Sequence, residues 1–159
     1  LDSLHTLQKA VKSLTGEAHL LCGFLRFTDT GQALTAVIEP KNYVLPLLTR
    51  HFSDRFPGEA FLIYDKTHKM ALVHCPPECA ILPLESLSLP EPDGEERKYR
   101  DLWRLFYDTV SIEGRYNPKC RMTHMPKRYW GNMTEFQRDT DAPARSLPAE
   151  KTSALAKRV

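Results

Sequence analysis

Two β-prone segments on either side of one proline-bounded amphipathic stretch constrain this chain more than any other feature. The first segment, "LLCGFLRFTDTGQALTAVIEP", holds two apolar runs around Asp29-Thr30-Gly31 and reads as a hairpin closed by Pro40. The amphipathic stretch, "NYVLPLLTRHFSDRFPG", places Val44, Leu45, Leu48, Phe52 and Phe56 on one helical stripe. Asn42 is its expected cap, Pro46 falls in its first turn, and Pro57-Gly58 ends it. "AFLIYD" and "KMALVHC" then form a second hairpin around Lys66 to His68, and "CAILPLESL" adds a short edge strand. The order predicts an α+β fold: a small antiparallel sheet of two hairpins around a central helix (β-β-α-β-β).

The flanks are helical. Leu4, Leu7, Val11 and Leu14 recur at helical spacing behind Asp2 and Ser3, so residues 3 to 14 read as an amphipathic helix that Gly16 ends or turns. The opening "LDSLHTLQKAVKSL" resembles the middle of a helix more than a signal peptide or a methionine start. Residues 1–16 are therefore expected to be the end of a longer N-terminal region. Prolines and acids dominate from Pro83 to Gly94, a connection between parts. Residues 95 to 109 carry the strongest helical pattern, with Tyr99, Leu102, Trp103, Phe106 and Tyr107 on one face. Asn117-Pro118 and Met125-Pro126 each resemble a capped helix start with proline at the first position. The expected division is one α+β domain over 17–137, helical from about 94, then a polar tail over 138–159 that is partly disordered or a marginal helix.

Charge is distributed unevenly. The chain's net charge is only +2, yet from Ser111 to Trp130 five cations face Glu113 alone, a local excess of +4. Those cations are Arg115, Lys119, Arg121, Lys127 and Arg128, and Tyr129 and Trp130 lie among them. Cations neutralise phosphates and aromatic faces stack on exposed bases, which suits single-stranded or distorted nucleic acid. The competing account buries Met122, Met125, Tyr129 and Trp130 and leaves the charges to water. On α-helical spacing, His51 and Arg55 share a face and form a possible anion site with Arg26.

Other chemistry has weaker support. "HCPPEC" brings together His74, Cys75 and Cys79, with Cys120 or His68 as completing ligands, but structural zinc sites come as two close pairs. No metal and no cofactor are expected. The third cysteine of a radical-SAM iron–sulfur motif is absent, so no such cluster is expected either. Cys22 or Cys120 could meet His19, His51 or His124 as a nucleophilic pair, though nothing local activates either thiol. No phosphate loop, nucleophile elbow or His-Glu-x-x-His occurs, so an enzyme is not the leading expectation. Four cysteines do not make a secreted disulfide scaffold, and a reducing cytoplasm is the expected location. No apolar run approaches the ~20 residues of a membrane span.

"HLLCGFLRF", "YVLPLLTRHFSDRFP", "FLIYD" and the run from "LWRLFYDTVSIEGRYNP" to "MPKRYWGNMTEF" resemble an uncharacterised bacterial family labelled as DNA metabolism proteins. The resemblance covers about residues 17 to 136. It implies a DNA-repair or DNA-processing context, with a radical-SAM DNA modification or repair protein as partner. A related domain occurs fused to uracil-DNA-glycosylase-like proteins. The family-like positions are Arg26, Phe27, His51, Arg55, Trp103, Tyr107, Arg115, Asn117, Pro126, Tyr129, Trp130 and Glu135. The resemblance implies no catalytic residue.

Three functions follow as expectations. The first is a nucleic-acid-binding accessory to a DNA-processing enzyme, using Arg115, Asn117, Lys119, Arg121, Lys127, Arg128, Tyr129 and Trp130. The second is a module that docks on the radical-SAM partner. The third is a hydrolase or nucleotide-handling enzyme in which His51 and Arg55 converge with Asp54 or Glu135.

Overall fold

The computed structural model describes residues 2–89, 91, 93–110, 115 and 117–137. Helix α1 (Asp2–Phe24) leads into strands β1 (Thr28–Asp29) and β2 (Leu34–Ile38), then helix α2 (Leu45–Arg55). Strands β3 (Phe61–Asp65), β4 (Met70–Cys75) and β5 (Glu78–Pro83) follow, and then helices α3 (Gly94–Val110) and α4 (Pro118–His124). Two 3-10 segments, Lys127–Asn132 and Thr134–Phe136, complete the described chain. The expected tail over 138–159 lies outside the described residues.

The α+β class and the C-terminal helical region are as expected, and the sheet has five strands in the order β1-β2-β3-β4-β5. It is mixed rather than wholly antiparallel. The β1–β2, β3–β4 and β4–β5 pairs are antiparallel, but β2 and β3 run parallel from Leu34↔Phe61 to Ile38↔Asp65. Parallel neighbours need a crossover, and α2 supplies it. The apolar stripe of α2 does what its spacing predicts: Leu45, Leu48 and Phe52 are buried. Its cap differs. Val44 occupies the N-cap with no side-chain bond, and the Asn42 amide donates instead to Ser13 and Glu17.

The largest departure is α1. Instead of ending at Gly16 and giving way to a strand, the helix continues for 23 residues, so Cys22 is helical. A glycine inside a helix costs about 1 kcal/mol. Burial of Glu17, Ala18 and Leu21 on one face, with Leu25 just beyond, outweighs it. The apolar run "LLCGFLRF" fits a buried helix and a buried strand equally well by pattern. Strand β1 therefore shrinks to two residues, although the hairpin turn at Gly31 remains, with φ +78 there.

Ala36, Ile63 and Leu72 align across the sheet and face α1 and α2, together with Leu21, Leu25, Leu48 and Phe52. Tyr129 and Met133 from the C-terminal segment enter the same core. The opposite face of β2 carries Thr35 and Val37, one residue out of step with Ala36 and Ile38.

Candidate functional site

Glu17, a buried carboxylate on α1, organises one side of the C-terminal segment. It accepts hydrogen bonds from the backbone amides of Lys41 (2.9 Å) and Asn42 (2.8 Å) and from the Asn42 side chain (2.7 Å). It also accepts from Arg128 Nη2 (2.9 Å) and from the Tyr129 hydroxyl (3.3 Å). Burial alone pushes the carboxyl pKa up. The two backbone amides, the Asn42 side chain and the Arg128 charge together outweigh that and hold it below the usual range. Burial, followed by the Glu17 charge, raises the Tyr129 hydroxyl pKa. Arg128 donates to the Tyr129 hydroxyl and lies 4.5 Å from the ring centroid. Tyr129 is 5% exposed and packs at 5.4 Å on Phe24. Its ring belongs to the core, and Arg128 is committed to Glu17.

Trp130 is half-buried. Phe136 stacks on it with centroids 4.4 Å apart, and its indole N–H donates to the Met125 carbonyl at 2.9 Å. The cations of Arg121 and Lys127 lie 5.1 and 5.9 Å from its centroid. Asn117 caps α4 as its sequence predicts, accepting from the Cys120 amide at 3.0 Å. The second proline start does not open an α-helix: Pro126 is the N-cap of a 3-10 segment. Arg115, Lys119, Lys127 and Arg128 are exposed, whereas Arg121 is partly covered.

Glu135 is a second carboxylate hub. Arg26 clamps it through Nη2 (2.6 Å) and Nε (3.2 Å), and the Trp103 indole donates to it at 3.1 Å. Burial again pushes its pKa up, and the Arg26 hydrogen bond, its own backbone amide and the Arg26 charge outweigh this, so it lies below the usual range. Helix α3 is tied down by this contact, by Arg100 Nη2 donating to the Thr28 hydroxyl (2.6 Å) and by Arg104 Nε donating to the Thr134 carbonyl (3.2 Å). No residue of α3 is fully buried.

Between β1–β2 and the C-terminal segment lies a cleft of about 320 Å³. Thr28, Thr35 and Val37 line one wall, Asn132, Thr134 and Gln137 another, and Arg26 and Arg100 also border it. Thr28 and Thr35 are directly paired across the strands and so share this face. Sequence reasoning missed Thr35, Asn132 and Arg100, because the walls of the cleft come from segments far apart in the chain. Glu17 stands out in the sequence among apolar residues beside His19 and Arg26, but nothing local shows which groups it joins.

The remaining candidates scatter. His51 and Arg55 are exposed on α2, where Asp54 pairs with Arg50 at 3.7 Å. Arg26 is engaged by Glu135, and among the described residues no hydrogen bond or ion pair joins it to His51 or Arg55. His74 is buried, stacks on Phe61 at 4.7 Å and meets Cys79 Sγ through Nδ1 at 2.9 Å. His74 pairs with Cys79 and Cys75 with Glu78, so the two thiols lie on opposite faces of the hairpin. Among the described residues, no three His, Cys, Asp or Glu side chains cluster to hold a metal ion. Among them, no helix is long and apolar enough to cross a membrane.

No curated protein and no solved structure matches the chain. A family model described as a domain of unknown function, DUF4130, matches residues 2–135, from α1 to Glu135. That span takes in both carboxylate hubs and the cleft-lining residues from Arg26 to Thr134, and the chain belongs to the DUF4130 family.

Proposed function

We propose that the protein binds nucleic acid as an accessory to a DNA-processing enzyme. One observation carries this reading. Between residues 115 and 137 the chain has five cations and a single carboxylate, Glu135, and that carboxylate is buried and neutralised by Arg26. The outward field of the segment is therefore positive, with Arg115, Lys119 and Lys127 exposed as phosphate contacts and Arg128 at the rim. The family resemblance supports the DNA context and a radical-SAM partner.

Fluorescence anisotropy of labelled single- and double-stranded DNA at two salt concentrations tests it. Binding is expected at low salt and should weaken as salt rises. An Arg115→Ala/Lys119→Ala/Lys127→Ala variant should lose about 0.7 of log–log salt slope per phosphate contact removed on single strands. Absence of binding at low salt, or an unchanged slope in the variant, overturns the reading.

A second reading has its own observation. Tyr99, Leu102, Trp103 and Phe106 recur at helical spacing on α3 and are 41 to 68% exposed, an apolar face that supports docking on the partner enzyme. Co-purification of the radical-SAM protein after nuclease treatment is the expected result. Loss of the association on nuclease treatment would return the contact to DNA.

A further inference from the structure

The geometry points to the cleft between β1–β2 and the C-terminal segment as a binding site for a single nucleobase. This rests on the nucleic-acid reading above and specifies where one base of the bound strand would go.

Three side chains in the cleft keep hydrogen-bonding groups with no protein partner among the described residues: the Thr35 hydroxyl, the Asn132 amide and the Thr134 hydroxyl. Thr35 is 6% exposed and borders the cleft, where its hydroxyl stays reachable. An Asn amide offers donors and an acceptor side by side, the pattern that reads the edge of a base, and each hydroxyl can serve in either sense.

Charge narrows the ligand further. The cleft has no carboxylate in its lining, and its two guanidinium groups are already answered, Arg26 by Glu135 and Arg100 by Glu96 at 2.9 Å. A bare anion gains little from a site whose cations are paired. A neutral heterocycle with mixed donors and acceptors gains the three free groups. Val37 and Leu89 supply apolar surface against which a flat ring can rest. The volume, about 320 Å³, is at the small end of ligand sites, suited to one base rather than a dinucleotide. A base from a single strand, or one turned out of a duplex, presents its edge in this way.

Titration of the isotopically labelled protein with dAMP, dCMP, dGMP and TMP, followed by amide NMR shifts, tests the site, with inorganic phosphate as control. At least one nucleotide is expected to give saturable shifts at Thr35, Asn132 and Thr134, and phosphate should not. Asn132→Ala should weaken that binding about 10-fold, the scale of losing one or two hydrogen bonds. Thr35→Val, which keeps the side chain's shape, should weaken it in the same direction with an unchanged urea midpoint. Shifts confined to Lys119 and Lys127, shifts reproduced by phosphate, or full affinity in both variants would overturn the proposal. Oligonucleotide anisotropy separates the two ideas. If DNA binding depends on Lys119 and Lys127 while Asn132→Ala changes neither DNA nor nucleotide binding, the cleft fails and the nucleic-acid reading stands. If nucleotides bind the cleft and DNA does not bind at all, the reading fails and the cleft stands.

Discussion

Glu17 shows how much a single side chain can decide. It accepts five hydrogen bonds from two separate segments, and its replacement by glutamine keeps the shape but removes the charge that Arg128 and two backbone amides address. Glu17→Gln should destabilise the fold by about 2–3 kcal/mol, because buried donors lose a charged acceptor while Arg128 can partly turn to solvent. Urea midpoints at pH 7 check this, and a change under about 0.5 kcal/mol, the scale of an ordinary surface substitution, would remove the hub role. The pH dependence has a defined sign. Glu17 and Glu135 are both held below the ordinary carboxyl range, so their stabilisation is fully present above the unfolded pKa of about 4.3. It is lost as pH falls through the lower folded values. The wild-type midpoint should therefore drop below about pH 4.3, and Glu17→Gln should show a shallower drop.

Helices and strands were legible to different degrees. The stripe of α2 and the capped start of α4 follow directly from local spacing and a side-chain cap. The length of α1 did not, since its decisive burial against α2 and the sheet is tertiary and overrides Gly16. The parallel junction of β2 and β3 was hidden for a related reason: two hairpin-like segments do not specify how a helix between them joins their strands. Helix α3 misleads in the opposite direction. Its stripe has the spacing of a core-facing helix, yet Tyr99, Leu102 and Phe106 are more than half exposed. Pattern identifies an apolar face without saying whether the chain itself covers it. A Leu102→Ser/Phe106→Ser variant should keep its unfolding midpoint within about 0.5 kcal/mol of wild type, as exposed sites do. If α3 docks on the radical-SAM protein as proposed, the variant should also lose that capture; a large drop in stability would mean the face is core after all.

At the scale of the molecule, the excess of positive charge was legible, but which charges are available was not. Arg128 and Arg26 are answered by Glu17 and Glu135, 111 and 109 residues away, and no local window holds both members of either pair. The same long separations impose an order in time. Strands β3, β4 and β5 occupy one continuous run from Phe61 to Pro83, joined by short turns, and can pair early. The C-terminal segment must close loops of more than a hundred residues before Arg128 and Glu135 find their partners. Asn132 and Thr134 arrive with it, so a refolding molecule acquires a sheet before it acquires a cleft. Both tryptophans, Trp103 and Trp130, report on the late part, so their fluorescence should recover after the far-UV circular dichroism in a stopped-flow experiment. Simultaneous recovery would show that the sheet and the C-terminal segment condense together. With a lag, the cleft is the last feature the chain gains, and it is the first lost when the C-terminal segment peels away from an otherwise intact sheet.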